Sequence, residues 1–306
     1  MATETLPRTQ PAQPVRAKPS RRGLLAERAG KQRPPAARAL LWLGVILTMI
    51  FCLFPFYWLI NTSLKTGAQL SSASLFPKHP TLDNFSSIFR NSDFTNALRN
   101  SVIVAGSATI LSLMFGAFAA YALARLRFRG KFTMLAIVLS ISTFPPIAIA
   151  APVFKLWTDI GFYNSYQGLI LPFLTFTMPL TIYILTSFFR EIPKDLEEAA
   201  LVDGATHFQA FRKIVVPLAA PGLVTAGMLA FIYAWNEFLF SITLTSTPDR
   251  RPVSAAIAFF TGSRQFEVPL GTISAATVAI TVPIILLVLV LQKRIVAGLT
   301  AGAVKG

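Results

Sequence analysis

The sequence is short of the groups from which soluble enzymes are usually built. It has a single cysteine, Cys52, so a disulfide framework and a cysteine-based metal site are both excluded. It has two histidines. His79 sits between Lys78 and Pro80 and reads as a surface residue, while His207 lies in a polar stretch and reads as a solvated or docking residue. There is no G-x-x-x-x-G-K-[ST] phosphate loop, no H-E-x-x-H and no G-x-S-x-G. Without the phosphate loop this chain should not hydrolyse a nucleotide. Any work it does must draw on a partner or on an ion gradient. Charge is scarce as well, at 13% of residues against 54% hydrophobic. With a mean hydropathy of +0.59, that balance excludes an ordinary soluble domain.

What the sequence does contain is a series of uncharged runs. Leu40–Ile60 is 21 residues, about 31 Å as a helix, which matches the hydrocarbon core of a bilayer. Asn100–Ala124 follows between Arg99 and Arg125, and Phe132–Phe154 lies between Lys131 and Lys155. Gly168–Phe189, Pro221–Thr243 and Leu270–Gln292 complete a count of six spans. A soluble helical bundle would not need so many apolar runs of this length. Cys52 reads as a small apolar side chain within the first span.

The basic excess, 28 Lys and Arg against 13 Asp and Glu, could suggest nucleic acid, but its placement argues for topology. Residues 1–39 carry nine Lys or Arg, two Glu and six Pro, the composition of a disordered basic arm. A cleavable signal peptide is not expected, because the apolar run that follows is too long and lacks an evident cleavage site. With the arm in the cytoplasm, the inside segments hold 20 basic residues and the outside loops hold 8. Over short loops that bias puts both termini, residues 125–131 and the 190–217 loop inside. No nucleic-acid partner is implied.

The 190–217 loop is the polar island of the chain. Pro193 suits a first helical turn, and Asp195, Glu197 and Glu198 complement the positive end of a helix dipole. Gly204 supplies a left-handed stop, and Thr206 with Gln209 has the spacing of a capping box for a second helix running to about Pro217. On the first helix Leu196, Ala199, Ala200 and Asp203 share one face. A short helix that shows small side chains and carboxylates has the form of a docking knob.

These residues also carry a family resemblance. Glu198-Ala199-Ala200, with Asp203-Gly204-Ala205, Phe211, Pro217 and Pro221, resembles the cytoplasmic EAA loop of ABC-importer permeases. Trp235-Asn236-Glu237-Phe238 and the tail Gly298–Gly306 are similar to those of the smaller permease in maltose- and trehalose-type carbohydrate importers. The resemblance implies an all-α membrane protein of the type I permease fold. It has a six-span domain over 40–297 and a cytoplasmic tail at 298–306 that would be disordered by composition. It implies a non-catalytic subunit of the bacterial inner membrane that imports a carbohydrate, such as the disaccharides trehalose or maltose. Partners would be a second permease, a dimer of ATPase subunits and an extracytoplasmic sugar-binding protein. This chain would hold no cofactor, since ATP and Mg belong to the ATPase. Glu198, Ala199, Ala200, Asp203 and Gly204 would form the coupling contact, and the tail would insert between the ATPase subunits.

Other candidates lie within or beside the spans. Asn236 and Glu237 either face a sugar pathway or anchor helices near the outer interface, with Tyr233 and Trp235 in an aromatic belt. Thr177, Thr181 and Ser274 are further pathway candidates, though such hydroxyls more often bond their own backbone or a neighbouring helix. Gly262, Ser263 and Gln265 lie in an outside loop that, by resemblance, reaches toward the binding protein. The alternative function is a proton-coupled secondary transporter using Glu237. It leaves the Glu198-Ala199-Ala200 loop unexplained, and six spans without an evident internal repeat suit it poorly.

Overall fold

The structure, a computed structural model, describes residues 35–260 and 269–303. The chain divides into two compact units, Met1–Pro55 and Phe56–Gly306. Helix α1 (Pro35–Ser63) begins in the first unit and ends in the second, with Pro55 inside it. The other elements of the second unit are, in order, α2 (Asp83–Arg90), α3 (Ser92–Arg125), α4 (Lys131–Ser142), α5 (Pro146–Ile160) and α6 (Tyr166–Glu191). Next come α7 (Asp195–Val202), α8 (His207–Ala210), a π-turn over Phe211–Val215 and α9 (Val216–Leu218). Helices α10 (Ala220–Asn236), α11 (Leu239–Thr243), α12 (Val253–Ala256) and α13 (Leu270–Ala303) complete the chain. No strand occurs among the described residues.

Four helices, α1, α3, α6 and α13, are each long and apolar enough to cross a membrane. The other two expected spans are broken. Phe132–Phe154 becomes α4 and α5, bent by 85° at Thr143–Pro145. The cause is local: Pro145 and Pro146 lack amide donors, and a residue preceding proline is pushed out of the helical region. Pro145 is extended (φ −61°, ψ 119°) and Pro146 opens α5. The run Pro221–Thr243 gives only the 17-residue α10, because Glu237 turns extended (φ −65°, ψ 121°) before the short α11. A 77° bend separates the His207–Leu218 segment from α10. Counting each bent pair as one crossing gives up to six. Helix α13 runs past Gln292 to Ala303, so the tail expected to lack structure is helical as far as Ala303.

Two buried clusters hold the second unit together. One gathers Phe94, Val104 and Ala108 of α3 with Leu169, Phe173 and Phe176 of α6, Trp235 of α10 and Ala275 and Ala276 of α13. The other joins Ala117 and Ala120 of α3 to Leu185 and Phe189 of α6 and to Phe211 and Val215 of the π-turn. The face of α3 turned to this core shows Ala108, Ser112, Gly116, Ala120 and Ala124 at every fourth position, all buried. Small side chains on one stripe let helix backbones approach closely. Gly116 uses that proximity fully, since a Cβ there would stand 2.7 Å from Thr181 Cγ2. The second cluster thereby ties the polar loop to the C-terminal ends of α3 and α6.

Candidate functional site

Helix α6 ends at Glu191, and Ile192 is extended, as a residue before proline prefers. Pro193 stands one place before the N-cap, Lys194, and not in the first helical turn. Three carboxylates, Asp195, Glu197 and Glu198, fall in the first turn of α7. Its other end closes as a Schellman motif. Gly204 N–H donates to Leu201 O at 3.1 Å and Ala205 N–H to Ala200 O at 2.9 Å, with Gly204 at φ +86°. Thr206 then starts α8 with a complete capping box. Gln209 N–H donates to Thr206 Oγ1 at 3.2 Å, and Thr206 N–H donates to Gln209 Oε1 at 2.8 Å. The expected second helix continues through the π-turn, a feature that often marks functional sites.

The two faces of α7 differ. Leu196, Glu198, Ala199, Val202, Asp203 and Gly204 are exposed, and Ala200 is half-buried. Val202 is 88% exposed and, on α8, Phe208 is 58% exposed, so large apolar groups stand open among the carboxylates. The opposite face holds Glu197, the one buried residue of α7. Its Oε2 lies 3.0 Å from Arg125 Nε, both side chains being 10% exposed or less. Tyr121 donates its hydroxyl to Glu197 Oε1. Arg125 Nη2 donates to Ile192 O at 3.0 Å, which joins the ends of α3 and α6. Burying two charges is tolerable when their remaining polar atoms find partners, and these do so in part. The Arg125 Nε–H is not aligned with Oε2 for a hydrogen bond, so that contact is an ion pair only.

From the sequence, Glu197 and Glu198 read alike, as dipole-complementing acids, and nothing in that reading selects Tyr121 or Arg125. A signal is nonetheless present. Tyr121 and Arg125 are four apart at the end of a span, hence on one face. Glu197 shares its face with the half-buried Ala200 and Leu201.

The other candidates are placed apart from this loop. Thr177 and Thr181 are 1% and 0% exposed. Thr177 shares a 2.6 Å hydrogen bond with Ser112, and Thr181 Oγ1 donates to Thr177 O at 2.9 Å. Both belong to the packing of α3 on α6, not to an open surface of this chain; Ser274 is likewise buried. Asn236 is exposed, its Nδ2 donating to Ile232 O at 2.8 Å. The Glu237 carboxylate accepts from the amides of Phe240 at 2.9 Å and Ser241 at 3.0 Å, so it caps α11 at the break in the fifth run. Ser254 Oγ donates to Glu237 O at 2.6 Å. Tyr233 is exposed, whereas Trp235 is 3% exposed and donates to Ile280 O at 3.2 Å, a helix anchor and not a belt residue. Gly262, Ser263 and Gln265 lie outside the described residues. Among the described residues no cluster of His, Cys, Asp or Glu could hold a metal ion.

Residues 112–300 match the model of a family described as binding-protein-dependent transport system inner membrane component. The chain belongs to this family. The match begins in α3, and it includes the whole 190–217 loop. The permease is 49% identical over 273 residues to the trehalose transport system permease protein SugB of Mycobacterium tuberculosis (strain CDC 1551 / Oshkosh), covering 89% of this chain and 99% of that one. It is 39% identical over 271 residues to the trehalose/maltose transport system permease protein MalG of Thermococcus litoralis, covering 88% and 97%. In three dimensions it is similar to a chain from the crystal structure of a bacterial ABC transporter involved in the import of the acidic polysaccharide alginate. The TM-score is 0.73 at 24% identity, over 86% of this chain and 98% of that chain, a likeness of fold. The proton-coupled reading finds no support in these relatives, and the capping role of Glu237 gives its carboxylate a structural occupation.

Proposed function

We propose that this permease is the smaller membrane subunit of an ATP-driven sugar importer of the bacterial inner membrane. Each bent helix pair would form one span, giving six, with both termini and the 190–217 loop in the cytoplasm, as the distribution of basic residues favours. The loop docks in a cleft of an ATPase subunit, which binds ATP and Mg, and a second permease completes the pathway. An extracytoplasmic binding protein delivers the sugar, and the loop bearing Gly262, Ser263 and Gln265 is its proposed contact. The tail 298–306 reaches toward the ATPase dimer. A disaccharide of the trehalose or maltose type is the proposed cargo, on the similarity to permeases named for those sugars.

The observation that carries the reading is the open face of α7. Glu198, Ala199 and Asp203 are exposed on a short helix capped at its C-terminal end and followed by a capped second helix. Such a helix presents small side chains and acids in a fixed geometry, which suits a cleft lined with basic groups. The test is uptake of labelled trehalose and maltose into proteoliposomes holding the full complex with its binding protein. The expected result is accumulation that needs ATP and is indifferent to an imposed proton gradient. Accumulation driven by the gradient without ATP would overturn the proposal.

A further inference from the structure

A docking helix must pass its displacement to the spans through something stiffer than loop backbone. Within α7 the candidates are few, because Glu197 is its one buried residue. The carboxylate is engaged by a single helix: Tyr121 donates its hydroxyl to Oε1, and Arg125 pairs in charge with Oε2. These two residues are one turn apart on the last turns of α3. One hydrogen bond and one buried ion pair thus tie the turn of α7 that carries Glu197 to the end of α3. Arg125 extends the linkage to Ile192 at the end of α6, and the Tyr121 ring lies 4.9 Å from that of Phe211 in the π-turn. Glu198, the next residue, is exposed on the other side of the helix.

Granted that the 190–217 loop docks an ATPase, we infer that Tyr121, Arg125 and Glu197 are positioning residues that transmit movement of α7 to the inner ends of α3 and α6. The two neighbouring acids then divide the task. Glu198 meets the partner, and Glu197 carries the resulting motion into the membrane domain.

The test compares three variants in the reconstituted full complex, with ATPase retention on purification, ATP hydrolysis and sugar uptake measured on each. Glu197→Gln keeps an acceptor for Tyr121 but strands the Arg125 charge. It should retain the ATPase and hydrolyse ATP while sugar moved per ATP falls at least tenfold, because the buried Arg125 charge loses its ion-pair partner. Tyr121→Phe removes one hydroxyl and leaves the ion pair, so the same ratio should fall by a smaller factor. It decides the matter should Glu197→Gln not accumulate in the membrane. Glu198→Lys, by contrast, should lose the ATPase itself. An unchanged ratio in Glu197→Gln, or in Tyr121→Phe if that variant alone assembles, would overturn the transmission role. Loss of the ATPase from Glu197→Gln would overturn it too, since Glu197 would then be a docking contact. Normal ATPase retention and uptake in Glu198→Lys would instead refute the docking reading on which the inference stands.

Discussion

Glu197 and Glu198 are adjacent in sequence, alike in chemistry and opposite in environment, and the difference is a rotation of about 100° around one helix. Residues that close α7 are under comparable constraint. Gly204 sits at φ +86° with nothing within 4 Å of where a Cβ would stand, so a substitution there meets conformational strain and no clash. Gly204→Ala should therefore cost about 1–2 kcal/mol, the penalty for a left-handed residue that bears a Cβ. Gly204→Val should cost more, because a β-branched side chain tolerates positive φ least. The chain should still insert, since the change lies in a surface loop. The check is the affinity of each variant complex for its ATPase, ranked Gly, Ala, Val. Equal affinities would mean that the Schellman closure does not set the shape of the docking face. Gly204 and the Thr206–Gln209 box were legible in the sequence because caps are local chemistry. The partner of Glu197 was not, because 72 residues separate it from Arg125 along the chain and no local rule joins them.

At the scale of elements, hydropathy located the apolar runs but not their direction. A run of apolar residues states that a segment avoids water, and it does so equally for a straight helix and for one broken at Pro145–Pro146. The 85° bend and the break at Glu237 came from proline and capping chemistry inside runs that read as continuous. The packing of α3 on α6 can be tested with two glycines of one helix. A Cβ added at Gly106 would meet nothing within 4 Å, whereas one at Gly116 would face Thr181 Cγ2 at 2.7 Å. Gly106→Ala should leave thermal stability in detergent equal or raise it by up to about 1 kcal/mol through helix propensity. Gly116→Ala should lower it by about 1–3 kcal/mol through overpacking against a buried threonine. If both variants melt alike, the close approach of α3 and α6 is not what holds this part of the domain.

For the whole molecule, the central claim is that a soluble-facing knob on a membrane domain is where energy enters. On the proposed topology, which the distribution of basic residues favours, this knob, residues 125–131 and the chain's ends share one side, and Asp93 and the α2 region share the other. The family and the all-helical class follow from the apolar runs and the loop motif together, and both were legible; the Tyr121–Arg125–Glu197 cluster that joins the loop to α3 was not, because it depends on tertiary packing. The chain's single cysteine makes the decisive experiment simple to set up. In a Cys52→Ser background, Ala199→Cys and Asp93→Cys are assembled into the full complex and treated with a short bifunctional thiol cross-linker. Ala199→Cys should cross-link to the ATPase subunit, and Asp93→Cys should not. Cross-linking of the ATPase from Asp93→Cys with none from Ala199→Cys would invert the topology and remove α7 from the coupling path.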